Sequence, residues 1–475
     1  MKGVFVDRAP TDELQASAPI AERVTGATGT VSGSIRVASR VHSGVNSAAG
    51  KTARVMMGSG TLRAAVVYGS AGVGFALANL LFARVLDPHE YGTIALVIAL
   101  FNVSIPIAPL GVDGIVLRRQ LMLDRKMLVR VASSSVLMAA IVLLFALTYY
   151  HLGLAIALLA FVAVATGGIS VAAAAYFQST RRRGLALLVS QGVNVVMLVL
   201  AVIVVVSGQH NAVLPIAGMM VFYMFGAMFL WVVGFREARA HPDFGKPVPP
   251  FPTREALAYA GVVGATFGLV QLERLVLPPL LGLEALAVFG VLAAIVGSVF
   301  RVLLLAVGFT LVPDLRSART IAKRRRVVLR ESLAVGAVLL ATTVALWYMT
   351  PLVVHFFVGD KYVLAPLLIA ASLAAGWFKV FSSFGRSSVT ALATPRQLAL
   401  FNYAGWMSVA ISLVGAFIGA RWGLTGVVWG MGAGWLALGL VAVWFSVPYF
   451  RSSATVESRT VQPDAPAIEQ AAIND

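Results

Sequence analysis

Cysteine is absent from the 475-residue sequence, which excludes disulfides and thiolate metal sites. Charge is also scarce: Asp, Glu, Lys and Arg make up 12% of the chain, against 59% hydrophobic residues. Soluble domains carry about 25% charged residues, so little of this chain can be a soluble domain. Acid is the scarcer sign, with 20 Asp and Glu against 37 Lys and Arg. The six His are scattered, and HExxH, a metal-spaced acid cluster, a P-loop, GxSxG and a DxD pair are all missing. These absences argue against catalysis, and no metal or cofactor is expected. The opening stretch "MKGVFVDRAPTDELQASAPIAERVTG" lacks a continuous apolar core, so it does not read as a cleaved signal peptide.

What the chain does have is apolar runs of membrane-spanning length. A spanning helix needs about 20 apolar residues. Cutting the runs at Gly, Pro and charge clusters gives twelve candidates: 62–84, 92–115, 128–150, 153–176, 185–206, 212–235, 256–280, 286–312, 329–350, 363–385, 397–419 and 424–447. The predicted fold is an all-α polytopic membrane protein with about twelve transmembrane helices in two pseudo-symmetric six-helix lobes, both termini cytoplasmic. The lobes are 58–235 and 255–450, joined by a cytoplasmic linker at 236–254, "REARAHPDFGKPVPPFPTR", rich in Pro and charge. Residues 1–57 and 451–475 read as disordered cytoplasmic tails. In the first tail, Arg36, Arg40, Lys51 and Arg54 can share one helix face and Val37, Val41 and Val45 another, a candidate surface-lying segment on anionic lipid.

The net charge of +17 raises the question of nucleic-acid binding, which the positions of the basic residues answer. Thirty-one of the 37 fall in the tails and in alternate connections; the opposite side holds only Arg84, Lys361 and Arg421. This is the positive-inside pattern, and nucleic acid is not an expected partner. The clusters Arg181–Arg183 and Lys323–Arg326 are read as topology anchors.

Three basic residues remain inside spans: Arg274, Arg301 and Lys379. A charge at mid-bilayer costs roughly 2.5 to 3.5 kcal/mol on insertion scales, so each should face protein or water. Lys379 is also near enough to the cytoplasmic end to snorkel. Gly290, Gly297, Arg301 and Gly308 fall on one helical face, as do Gly264, Gly268, Gln271, Arg274 and Pro278; Gly376, Lys379, Ser383 and Arg386; and Asn102, Pro106, Pro109 and Asp113. Two readings stay open. Glu273 can pair Arg274 or Arg301 as structural glue, or the excess cations await an anionic ligand. Arg301, Arg274, Lys379, Asn79, Asn102 and Gln271 are the candidate binding residues, with Glu273 and Asp113 as candidate coupling or ion-pair groups. Gln191 and Asn194 are weaker candidates for the same space.

The connections on the basic-poor side are short, the longest being the twelve residues "PLVVHFFVGDKY" (351–362), too small for an external catalytic domain. Two six-helix lobes suit a transporter better than a channel. A major-facilitator turn would need glycines where "RRQLMLDRKMLVR" has Gln120 and Met127, although Asp124 and Arg125 match. The turn "LFARVLDPHEYGTIALVIAL", with Leu86, Asp87, Pro88, Glu90, Tyr91 and Gly92, followed by "PLGVDGIVLRR", resembles the polysaccharide-biosynthesis, or O-antigen flippase, branch of the multidrug, oligosaccharidyl-lipid and polysaccharide exporter superfamily. Further matching features are "QLERLVLPPLLGLEALAVFG", where that family often has an acid-Arg pair, and "FTLVPDL" (309–315); the long N-terminal tail departs from the pattern. The resemblance implies translocation of an undecaprenyl-diphosphate-linked oligosaccharide from the cytoplasmic to the periplasmic leaflet of the bacterial inner membrane. The product would serve exopolysaccharide, capsule or O-antigen synthesis. Membrane lipids and a polysaccharide polymerase or export complex are the partners it implies. Multidrug export and a non-transporting scaffold are the alternatives.

Overall fold

A computed structural model describes residues 60–119, 121–180, 182–240, 251–318 and 320–451. The predicted tails, the surface-lying segment and most of the linker lie outside the described residues. From Ala64 onward the described residues belong to one compact unit. They form helices, with no strand among them.

The first half contains α1 (Gly60–Val85), α2 (Pro88–Ile107), α3 (Val112–Arg119), α4 (Arg125–Thr148), α5 (Leu154–Ser179), α6 (Arg183–Ser207) and α7 (Val213–Ala240). The second contains α8 (Thr253–Leu281), α9 (Leu283–Leu292), a π turn (Ala293–Gly297), α10 (Ser298–Ser317), α11 (Ile321–Val358), α12 (Pro366–Leu392), α13 (Pro395–Gly419) and α14 (Gly423–Arg451). Among the described residues nine stretches are long and apolar enough to cross a membrane, one of them, Arg396–Arg451, comprising both α13 and α14; shorter apolar helices lie in α1 and α6. Each of the twelve predicted spans therefore has a helical counterpart, and the chain is a multi-pass, all-α membrane protein.

Two predicted spans are not single helices. The second breaks between α2 and α3, where Pro106 and Pro109 withdraw backbone donors and Leu110 and Gly111 take positive φ (47° and 79°). Asn102 and Asp113 consequently do not share one continuous helical face. The eighth span contains the π turn, which shifts the register between Gly290 and Arg301 and separates that predicted stripe. The ninth span is longer than expected. α11 runs 38 residues, so Lys323–Arg326 occupy its first turns, and it continues through most of the expected 351–362 loop.

Local signals start several helices at the basic end. Asp124 caps α4 by accepting from the Met127 N–H at 2.6 Å, and Thr394 and Gln397 form a reciprocal capping box on α13. The Met127 N–H that Asp124 holds belongs to a position where a major-facilitator turn would need a glycine.

The halves meet mainly where α2 packs against α8 and α9. Gly92 of α2 lies so close to α9 that a Cβ there would collide with the Leu283 carbonyl, and Gly111 stands in the same relation to the Ala256 carbonyl of α8. Gly92→Ala should therefore cost about 1 to 3 kcal/mol through overpacking. Gly336→Ala on α11 meets nothing within 4 Å and should be neutral or slightly stabilising. Thermal unfolding of the purified variants in detergent micelles checks the contrast.

Candidate functional site

The basic-poor end is sealed between the halves. The α1–α2 turn, which carries the Leu86–Gly92 motif, is held from the first half by the Ala212 N–H donating to Glu90 Oε2 (2.6 Å) and by a His210 Nδ1 contact with the Val85 carbonyl (3.1 Å). From the second half, Lys361 Nζ donates to the Leu86 carbonyl, and Tyr362 meets Tyr91 edge-on at 6.5 Å. Burial, reinforced by the Asp87 carboxylate, holds the Tyr362 phenol above its ordinary range. Pro279, which lacks an N–H, leaves the Leu275 carbonyl of α8 without its helical donor. The Tyr150 hydroxyl, from the α4–α5 connection, donates to that carbonyl at 3.0 Å. The motif that carried the family resemblance is thus the sequence that closes this end.

Toward the basic end, α3 and α8 are also joined, by the Arg118–Glu255 ion pair (2.8 Å), and Arg130 stands 4.0 Å from the centroid of the Phe251 ring. Asp113 belongs to this region, beside Tyr259 of α8, and its Oδ1 is buried with no hydrogen-bond partner among the described residues. The structure does not bring Asp113 together with Glu273.

The in-span charges lie around the middle of the second half. Glu273, buried on α8, does not pair with either arginine. It accepts two hydrogen bonds from Lys379 Nζ of α12, at 2.8 and 3.0 Å, with the Trp435 ring of α14 5.8 Å from the ammonium. Lys379 therefore turns inward rather than snorkelling, and its partner was not the expected one. The reason is helical geometry. Glu273 and Arg274 are consecutive and point about 100° apart, so the acid enters the second half while the arginine faces the first.

Arg274 stands 5.8 Å from the Phe75 ring centroid of α1 and within electrostatic reach of Tyr91, Arg301 and its neighbour Glu273. Arg301 is surface-accessible, as is its neighbour Val302 (48%). A guanidinium at that depth cannot remain bare in lipid and needs protein, water or a ligand beside it. Among the described residues no carboxylate is within ion-pair distance of either arginine.

The other candidates differ in their availability. Asn79 is buried and committed, donating to the Phe75 carbonyl (2.8 Å) and accepting from the Tyr91 hydroxyl (3.4 Å). Gln271 is buried on α8, and Asn102 is half-buried on α2, where Pro106 leaves its carbonyl without a helical donor. Asn194 donates to Gln191 Oε1 at 3.1 Å, so those two satisfy each other. Phe75, Lys361, Tyr362 and Trp435 belong to the arrangement but were not singled out from sequence. The only signal was that Lys361 is one of three basic residues on the basic-poor side. Two outward-facing grooves, of about 730 Å³ along α13 and α14 and about 410 Å³ between α11 and α12, are lined by no charged residue and lie apart from the arginines.

No protein-family model matches the sequence, and no curated protein matches it. The architecture does have solved counterparts. An inward-facing multidrug resistance MATE family transporter of the MOP superfamily superimposes with a TM-score of 0.58 at 13% identity, covering 84% of this chain and 100% of that one. The lipid II flippase MurJ, in an inward closed conformation, superimposes with a TM-score of 0.61 at 11% identity, covering 81% and 87%. The chain shares its fold with these two proteins. Both counterparts are transporters or flippases rather than enzymes. At these identities the likeness speaks for the fold, and the site has to argue for the cargo.

The buried Glu273–Lys379 pair offers a test of the site's framework. Removing one member of a buried pair costs about 3 to 5 kcal/mol, because the other charge is stranded. Glu273→Gln and Lys379→Gln should each lower the melting temperature sharply, whereas the double variant should recover much of the loss.

Proposed function

We propose that the protein is a flippase that carries an undecaprenyl-diphosphate-linked oligosaccharide from the cytoplasmic to the periplasmic leaflet of the bacterial inner membrane. The observation that carries this reading is the pair of arginines, Arg274 and Arg301, within electrostatic reach of each other and, among the described residues, without a carboxylate at ion-pair distance. A diphosphate carries about two negative charges and binds guanidinium through charge-assisted, often bidentate, hydrogen bonds. The only described acid beside them, Glu273, is already spent on Lys379.

In this mechanism the basic end is the cytoplasmic face. The sugar and diphosphate enter a gap between the halves while the polyprenyl tail stays in lipid. Arg301 and Arg274 hold the phosphates, with Lys379 lending charge through its pair and Asn102 and Gln271 offering uncharged hydrogen bonds. Asn79 acts through Tyr91, on the sealed end. The two six-helix halves, 58–235 and 255–450, then rock about the bound headgroup. The contacts of Lys361, Tyr362 and Tyr150 break to release it outward to a polymerase or export complex. Glu273 or Asp113 would take any coupling proton or ion. The MATE likeness makes multidrug export the second reading; cationic drugs would meet repulsion from the same arginines.

The test is the sidedness of lipid-linked oligosaccharide in cells lacking the gene, complemented with the native protein or with Arg301→Gln. Precursor should accumulate on the cytoplasmic leaflet in the deletion. The native protein should clear it, and a stably inserted Arg301→Gln should not. Unchanged sidedness in the deletion would remove the flippase reading.

A further inference from the structure

The spacing of basic residues groups Arg386 with the connection after the tenth span, yet it lies inside α12 (Pro366–Leu392). Neighbouring contacts fix its bearing. On α12, Gly376 packs against the Phe300 ring of α10, and the Ser383 hydroxyl donates to the Leu304 carbonyl of α10 at 3.1 Å. Lys379 reaches Glu273 of α8, and Gly385 lies against Ala442 of α14. At 100° per residue Arg386 falls about 20° from Lys379, so it points between α10 and α14 toward α8. It sits about 10 Å nearer the basic end than Lys379.

Space is open at that height. Gly268 of α8 and Gly308 of α10 would meet nothing within 4 Å if each carried a Cβ. Arg386 is half-buried, and among the described residues its guanidinium has no hydrogen-bond or ion-pair partner. A half-buried guanidinium beside unfilled space differs from the basic residues around it. Arg324 and Arg325 donate to the Ala318 and Phe450 carbonyls, and Arg330 pairs with Asp314 and Glu331.

We propose that Arg386 is the first-contact subsite for the phosphate groups of the cargo, receiving the anion at the basic mouth of the gap before it passes to Arg301 and Arg274. This rests on the anionic-lipid reading above. The opposing account is that Arg386 only anchors topology by reaching to the headgroup layer.

The two separate in binding measurements on the purified full-length protein in detergent micelles, using farnesyl diphosphate as the anionic probe and farnesol as its uncharged counterpart. Arg386→Gln should weaken farnesyl diphosphate binding about tenfold and flatten its salt dependence, as loss of one charge-assisted bond implies. Farnesol binding should not change, and Arg386→Lys should restore most of the loss. In transport assays the Gln variant should raise KM with little change in kcat. If Arg386→Gln binds the diphosphate as the native protein does while Arg301→Gln does not, Arg386 is an anchor and this proposal fails alone. A parallel loss of farnesol binding would mark the effect as structural and overturn it too. If Arg301→Gln also binds normally, the anionic-lipid reading falls and this subsite falls with it.

Discussion

A guanidinium carried to the depth of the hydrocarbon has to be solvated by protein, water or a ligand, and two such groups facing one gap repel each other unless a counter-charge arrives. Arg274 and Arg301 impose that constraint on this protein. The acid that could have relieved it, Glu273, is consecutive in sequence with Arg274 but turned into the second half, where Lys379 neutralises it. One adjacent pair of residues on α8 thereby divides the work. Its acid ties α8 to α12, and its base faces the other half of the molecule with no ion-pair partner among the described residues.

The backbone devices around the gap serve the same arrangement. Paired prolines near the end of α8 release carbonyls, one of which the Tyr150 hydroxyl captures from the first half. The break between α2 and α3 and the π turn before α10 interrupt the two spans that frame the sealed seam. π turns concentrate at functional positions because they re-aim the side chains that follow, and here the side chain one turn on is Arg301.

Much of this was legible in the sequence because membrane-spanning helices are specified by hydrophobic length and their orientation by Lys and Arg counts, both one-dimensional quantities. The twelve spans were readable on that basis, as was the presence of Arg274, Arg301 and Lys379 within them. Pairing was not, because it depends on how helices rotate against one another. Glu273 could be placed near three cations, but the one it pairs with, Lys379 of α12, is set by the tertiary arrangement. The π turn left no sequence signal and displaced the expected Gly290-to-Arg301 stripe. Arg386 shared the Lys379 face in sequence but was counted with the connection, because a charge count alone cannot tell a helix's last turns from the connection after it.

The sign of the cargo's charge is the central claim, and the membrane potential reads it directly. Lipid-linked oligosaccharide extracted from the source cells can be reconstituted with the protein in proteoliposomes, and its rate of transfer measured under imposed diffusion potentials. Each negative charge carried outward across the full field gains roughly 2.3 kcal/mol per 100 mV, inside negative. The account predicts that an inside-negative potential accelerates outward transfer by native protein. Transfer slowed by that potential, or indifferent to it, would contradict an anionic cargo held by Arg274 and Arg301.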